Sequence, residues 1–290
     1  MSEVRQRWRL VFSRGEEARF LSHLDAVRLW ERAFRRGDIP VATSEGFSPR
    51  PRLIFAAPLP LGMLAEHELA DLYLSERLTA PDLRDRLAAG MPSGYLVSDL
   101  HDIWVGAPAI APQLAAADYR MTLLNVAEAA LGAAAAGLMA AERLPRERRK
   151  EARLIRYDLR PLLMDLQVRP ADPEAMPSEG DSTPAAGLWM RLRHSQDGGS
   201  GRPDEVVAAL AGAMGLASSV GSGDGEDAEA RGPAGDAGAS QTAAAPQTPG
   251  ASSEPARPPA LEVVRPVRER LWLGEELQPG PGSPLTPVRV

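Results

Sequence analysis

Apolar residues recur along this chain at two different spacings, and their order predicts its elements. Trp8 to Ser13 alternates β-forming residues, the period of a half-buried strand, and a turn follows at Arg14, Gly15 and Glu16. Leu24, Val27, Trp30 and Phe34 recur at helical spacing up to Gly37, and Ser22 with Asp25 three residues later forms a capping-box-like start. Pro40 to Pro51 is irregular. Arg52 to Ala56 and Leu69 to Leu74 read as strands, Ala80 to Leu87 as a helix begun by Thr79 and Pro81, and Tyr95 to Val105 as a strand. The order is βαββαβ, the ferredoxin-like unit.

The order then repeats. Tyr119 to Leu124 predicts a strand and Ala127 to Glu142 an alanine-rich helix of high intrinsic propensity. Glu151 to Val168 holds strand material on either side of Leu159, Arg160 and Pro161. Leu188 to His194 predicts a strand, Pro203 to Met214 a helix with proline in its first turn, and Leu261 to Leu273 a last strand. The predicted fold is α+β: two tandem ferredoxin-like βαββαβ units, residues 1–110 and residues 111–216 plus 260–275, with a long disordered insertion before the last strand. Each unit needs only one sheet face covered by two helices. The insertion, residues 217–259, has no aromatic residue and is built of Ala, Gly, Ser, Pro and Gln with six acids. It cannot offset an ordering cost of roughly 1–2 kcal/mol per residue. Its length is tolerable because loop-closure cost grows only logarithmically. Residues 276–290 read as a flexible tail.

Composition narrows the chemistry. There is no cysteine, which excludes disulfides, thiol nucleophiles and thiolate-held zinc or iron–sulfur clusters within this polypeptide. The four histidines, His23, His67, His101 and His194, have no H-x-x-x-H spacing, so no metal and no cofactor of its own are expected. No apolar run approaches the roughly 20 residues that cross a bilayer, and MSEVRQRW lacks the apolar core of a signal peptide. The expectation is a cytoplasmic protein with no membrane partner.

The formal charge of -6 hides an uneven distribution. Residues 1–60 hold eleven Arg against seven acids, and residues 142–170 hold eight Arg and Lys150 against five acids; residues 61–117 are acidic. One positive face is expected. Every basic residue but Lys150 is arginine, which suits bidentate phosphate contacts, although a GC-rich genome produces the same bias.

Arg28, Arg32, Arg35 and Arg36 share one face of the first helix, opposite its apolar stripe; that face is either a landing strip for phosphates or simply solvated. In the segment Ser44 to Arg52, Gly46, Pro49 and Pro51 restrict a loop that offers Phe47 for base stacking and Arg50 and Arg52 for the backbone of an RNA; Phe47 could equally plug the core. His23, beside Ser22 and Asp25, could be a general base, a metal ligand or a phosphate contact, or could simply pack or hydrogen-bond while Ser22 and Asp25 cap the helix. Asp158 and Arg160, two apart on a strand, could pair or receive a polar ligand. Gly199, Ser200 and Arg202 lead into a helix whose free N–H groups could face an anion.

FLSHLD (20–25), WERAFRR (30–36), SEGFSPRPR (44–52) and PLPLG (58–62) occur in an order and spacing that resemble the radical SAM-linked family. YDLRPL (157–162) and GGSGRPDEV (198–206) resemble its second-half motifs. That family is a domain found alone or fused behind a radical SAM and cobalamin-binding-type protein. Where the family pattern has a serine after the PLPLG turn this chain has Ala65, while Glu68 fits. Without cysteine the chain cannot hold a radical SAM cluster, so the resemblance implies an accessory role beside a radical SAM/cobalamin-binding-type partner. The basic surface then suggests transfer or ribosomal RNA as what the accessory holds. Two rivals remain open. Tandem ferredoxin-like units with a glycine loop also resemble CRISPR repeat-processing endonucleases, which cut RNA without metal; His23 would be the base and 198–201 the anion cradle. A module that touches only protein is the other.

Overall fold

Eleven strands and four longer helices build one large sheet, a separate ribbon and the layer that covers the sheet in the computed structural model, which describes residues 3–45, 49–150, 153–176, 184–195, 199–217 and 260–277. In the first half, β1 (Gln6–Arg14) leads to α1 (His23–Arg36), β2 (Leu53–Phe55), β3 (Leu64–Leu74), α2 (Ala80–Gly90) and β4 (Tyr95–Ile103). β1 runs antiparallel to both β3 and β4, and β2 runs antiparallel to β3, so the order across the sheet is β2-β3-β1-β4. In the second half, β5 (Leu114–Leu124) and α3 (Glu128–Ala140) precede a hairpin, β6 (Pro145–Lys150) and β7 (Arg153–Asp158). β8 (Leu163–Arg169), β9 (Ala185–Ser195), the two-residue β10 (Gly199–Ser200), α4 (Pro203–Ala213) and β11 (Glu262–Leu273) follow. Here β5 is antiparallel to β9 and β11, and β8 is antiparallel to β9, giving β8-β9-β5-β11. The halves join where β11 runs parallel to β3, with Val267 opposite Leu64 and Arg268 opposite Ala65. The result is a mixed α+β fold around a nine-stranded, mostly antiparallel sheet.

Both halves place their helices on the same face of this sheet. Trp8, Leu10 and Phe12 alternate along β1 and pack with Trp30 and Phe34 of α1 and Leu83 and Leu87 of α2. Glu68 stands opposite Phe12 in the β1–β3 register, so it points to that helical side. It bonds Arg268, which stands opposite Tyr119, and Tyr119 packs in the second core with Leu131 and Leu138 of α3 and Val206 and Leu210 of α4. The connection after β4 crosses the other face of the first half. Arg7 donates to the carbonyls of Ala107 and Pro108 beneath it, and Ile110, farther along, is fully buried in the core cluster of the second half.

Several expectations need correction. β3 and β5 begin five residues earlier than their apolar stretches suggest. In β3 the charges of Glu66 and Glu68 break the pattern, but Glu68 is buried because Arg268 meets it. Leu24 lies on the exposed side of α1 while Ala26 and Ala33 are buried, so the apolar stripe is rotated from the predicted one. Pro145–Lys150, with no apolar alternation, is a strand because β7 supplies its hydrogen bonds. Glu276 and Leu277, expected in the tail, belong to a helical turn Gly274–Leu277. The expected disordered insertion, apart from Ala217, and the tail beyond Leu277 lie outside the described residues.

Candidate functional site

Helix α1 begins as its sequence predicts. The Ser22 hydroxyl accepts from the Asp25 backbone N–H and donates to the Asp25 carboxylate at 2.7 Å, a closed cap. Its outer face presents Arg28, Arg32 and Arg35 to solvent. Arg28 meets Asp25 at 3.6 Å in an exposed pair, Arg35 donates to the Glu31 carbonyl, and Arg32 makes no side-chain hydrogen bond or ion pair with the described residues. Arg36 does not belong to this set: it donates twice to the Gly90 carbonyl and ties α1 to the end of α2.

The 44–52 segment divides. Ser44 donates its backbone N–H to the Arg50 carbonyl at 2.8 Å, and the Arg50 N–H donates to the Ser44 hydroxyl, which closes the neck of the loop. Pro49 and Arg50 are exposed. Gly46 and Phe47, the expected stacking residue, lie outside the described residues. The Arg52 guanidinium lies 4.3 Å from the centre of the Tyr73 ring. Tyr73 pairs with Arg7 in the β1–β3 register, on the face away from the helices. Arg52 and the α1 arginines therefore occupy opposite faces of the sheet and do not converge.

In the second half, Asp158 and Arg160 have structural partners. Asp158 accepts from the backbone N–H groups of Leu144 and Arg160, and these bonds hold its pKa below the usual aspartate value. The Arg160 guanidinium donates to the carbonyls of Ala141, Leu163 and Met139, closing the end of α3 onto β8. Gly199 and Ser200 are exposed in a short pairing with β9, and Arg202 pairs with Asp204 in the first turn of α4. Glu205, next to Asp204, binds Arg146, so carboxylates already occupy the mouth of that helix.

A polar seam, largely buried, runs between the halves; of its members only His23 had a candidate role from the sequence, while Glu68 and His194 were named without one. A cavity of about 20 Å³, room for one water, is lined by Phe12, Arg14, His23, Phe55, Leu59, Glu68 and Tyr95. Arg14 is 3% exposed; its guanidinium donates to the carbonyls of Arg19, Pro60 and Met63, while its Nε has no partner. Burial lowers its pKa, with Tyr95 and Glu68 offsetting part of that. Burial works against the Arg268 charge too, but the Glu68 carboxylate outweighs it, so its pKa is raised. Tyr95 and Tyr119 are pushed up by burial. His23, its ring centre 5.6 Å from that of Phe55, is pushed down by burial, and His194 by burial and then by Arg268. FLSHLD and PLPLG thus meet here: His23 and Leu59 line one cavity. Beside it Phe20 and Leu61, 72% and 67% exposed, flank Gly62. Distance in sequence hid this seam, since no local signal pairs Arg14 or Arg268 with Glu68.

The face away from the helices uses most of its arginines in ion pairs. Arg7 and Arg9 share Asp71, Arg191 binds Asp118 at 2.6 Å, and Arg120 reaches Glu66, Asp172 and Glu269. Arg169, Trp189, Arg191, Trp272 and Arg270 stack alternately, with guanidinium-to-ring distances from 4.1 to 5.5 Å. A groove of about 450 Å³ at this face is lined by Arg120, Arg169 and Arg265 but also by Asp172 and Glu174. On the helical side, by contrast, the β6–β7 ribbon pairs with no strand of the large sheet. No group of three or more histidine or acidic side chains suited to a metal ion occurs among the described residues, and no helix there is long and apolar enough to cross a membrane.

The fold is thus that of a mixed α+β protein with a duplicated strand order. The chain belongs to the family described as "Uncharacterized protein conserved in bacteria (DUF2344)", which matches residues 7–199. No curated protein matches. Among solved structures, the chain is similar to an unknown protein from Galdieria sulphuraria at 11% identity, with 72% of this chain and 92% of that chain covered and a TM-score of 0.23. It is also similar to one titled "An RAMP protein binding different RNA substrates" at 10% identity, with 71% and 96% covered and a TM-score of 0.21. Scores this low carry no argument about fold or function.

Proposed function

We propose that this protein is a non-catalytic accessory of a radical SAM enzyme system that binds or presents RNA, transfer or ribosomal, through arginines on its helical side. The observation that carries this reading is the outer face of α1, where Arg28, Arg32 and Arg35 are exposed and only Arg28 has a carboxylate partner, in a pair open to solvent. Such a pair contributes about 0–1 kcal/mol and gives way readily to a phosphate. We read the fold as two tandem ferredoxin-like units, supported by the identical pairing β2-β3-β1-β4 and β8-β9-β5-β11. A protein partner, the radical SAM/cobalamin-binding-type enzyme of the resemblance, is supported by the exposed apolar side chains Phe20, Leu24 and Leu61, which come from the FLSHLD and PLPLG segments. The setting is cytoplasmic, and the accessory itself carries no cofactor.

Fluorescence anisotropy with a labelled transfer RNA tests the reading. Affinity falls steeply with salt, and Arg32→Glu with Arg35→Glu weakens binding at least about tenfold, since charge reversal removes two phosphate contacts and adds repulsion. Affinity that the double variant leaves intact would defeat the proposal. One second reading has an observation in its favour: His23, its pKa pushed down by partial burial, shares its cavity with Arg14 and Tyr95, a base beside a cation as metal-independent RNA cleavage requires. The same RNA incubated with protein in EDTA stays intact under the accessory reading and is cut under this one.

A further inference from the structure

We propose that the β6–β7 ribbon is a second RNA-binding element that lies along the phosphate backbone of helical RNA without reading its bases; this rests on the RNA-binding reading above. Three observations support it. The first is charge. The twelve strand positions of the ribbon hold six basic residues and two acidic ones, and Arg143 precedes them. Both acids are already engaged, Asp158 by the backbone N–H groups of Leu144 and Arg160, Glu147 by Arg156 at 2.6 Å. The second is position. The ribbon pairs only with itself, yet its base is fixed: Leu159 donates to the Leu144 carbonyl, and Arg146 binds Glu205 of α4 at 3.2 Å. It follows α3 and is held by α4, so it rises from the same side of the sheet as α1. Strands of six residues reach about 20 Å, long enough to follow a phosphate ridge.

The third observation selects the kind of RNA. The one aromatic residue of the ribbon, Tyr157, is half-buried, and Arg148 covers its ring at 6.0 Å. Its hydroxyl is pushed up to about 12 by burial and then by Glu205, so it remains a neutral donor anchored at the base. With no free aromatic surface among its described side chains, the ribbon has nothing on which to stack an unpaired base. Cations with no free aromatic surface beside them suit the regular phosphates of a helix, whose deep major groove hides the base edges from protein.

The full chain is titrated with a labelled RNA hairpin of twenty base pairs and with oligo(U) of equal charge, across a salt series. Three proteins are compared: wild type, an α1 variant (Arg32→Glu, Arg35→Glu) and a ribbon variant (Arg148→Glu, Arg149→Glu, Lys150→Glu). A milder ribbon variant with alanine at the same three positions guards against misfolding, and circular dichroism checks each protein. The expected result is at least tenfold weaker binding of the hairpin by the ribbon variant. Its slope of log K against log salt becomes shallower by roughly 2 to 3, one increment of about 0.7–0.9 per lost phosphate contact. The alanine variant shows the same change at smaller size, and oligo(U) binding falls less. If the α1 variant loses the hairpin while both ribbon variants keep it, the ribbon inference is overturned and the RNA reading survives. Equal losses on hairpin and oligo(U) overturn the preference for helical RNA. If wild type binds neither RNA, the reading and the inference fall together.

Discussion

Taking the charge from Glu68 would leave the Arg268 guanidinium, 3% exposed, without a carboxylate, held only by neutral groups such as the Pro58 and Ala57 carbonyls and the Tyr119 hydroxyl. Breaking a buried ion pair by removing one partner costs about 3–5 kcal/mol, so Glu68→Gln should lower stability by that much in urea unfolding. Glu68→Leu with Arg268→Met should cost less than either single change, because no charge is left behind. The two seam histidines make a second prediction. Both are pushed below the ordinary 6.5, so beneath that pH the unfolded chain binds more protons than the native one. Stability is therefore full above about pH 6.5 and declines as pH falls through the native values. Thermal melts should show Tm dropping between pH 7.5 and 5.5, and His194→Gln should flatten that drop; an unchanged slope would remove His194 from the account.

Two elements meet more closely than their sequences announce. A Cβ on Gly90 would lie 2.3 Å from the Ala33 carbonyl oxygen, and one on Gly37 would lie 2.3 Å from that of Arg86. The ends of α1 and α2 touch backbone to backbone there, and Arg36 clips them together through the Gly90 carbonyl. Gly90→Ala should cost roughly 1–3 kcal/mol by forcing the helices apart, readable as a lowered urea midpoint with an unchanged m value. Most elements themselves were legible. The Ser22 and Thr79 caps, the proline in the first turn of α4 and the alternation of β1 all act over a few residues, and each element stands where its pattern put it. The ribbon was not legible: six positions reading PRERRK carry no strand period, and only pairing with β7 makes them a strand. Likewise Arg36 looked like the fourth member of a basic face, yet the neighbouring helix claims it.

Across the whole molecule, the arginine surplus divides by side. On the sheet face away from the helices, guanidiniums are held by Asp71, Asp118, Glu66, Glu269 and Asp172 or stacked on Trp189 and Trp272. On the helical side, Arg32 of α1 and Arg148 of the ribbon have no carboxylate partner among the described residues. The candidate surface is therefore smaller than the sequence suggested, and differently composed. It loses Arg36 and Arg52 and gains the ribbon. What the amino-acid sequence alone determined was the kind and order of most elements, the ribbon's first strand excepted, and the regions in which cations outnumber acids, because caps, periods and local charge depend on near neighbours. Which cations stay free was decided by tertiary structure alone. The carboxylates that neutralise them lie far off in the chain, Asp118 from Arg191 by 73 residues and Glu68 from Arg268 by 200, and strand register brings them within bonding distance.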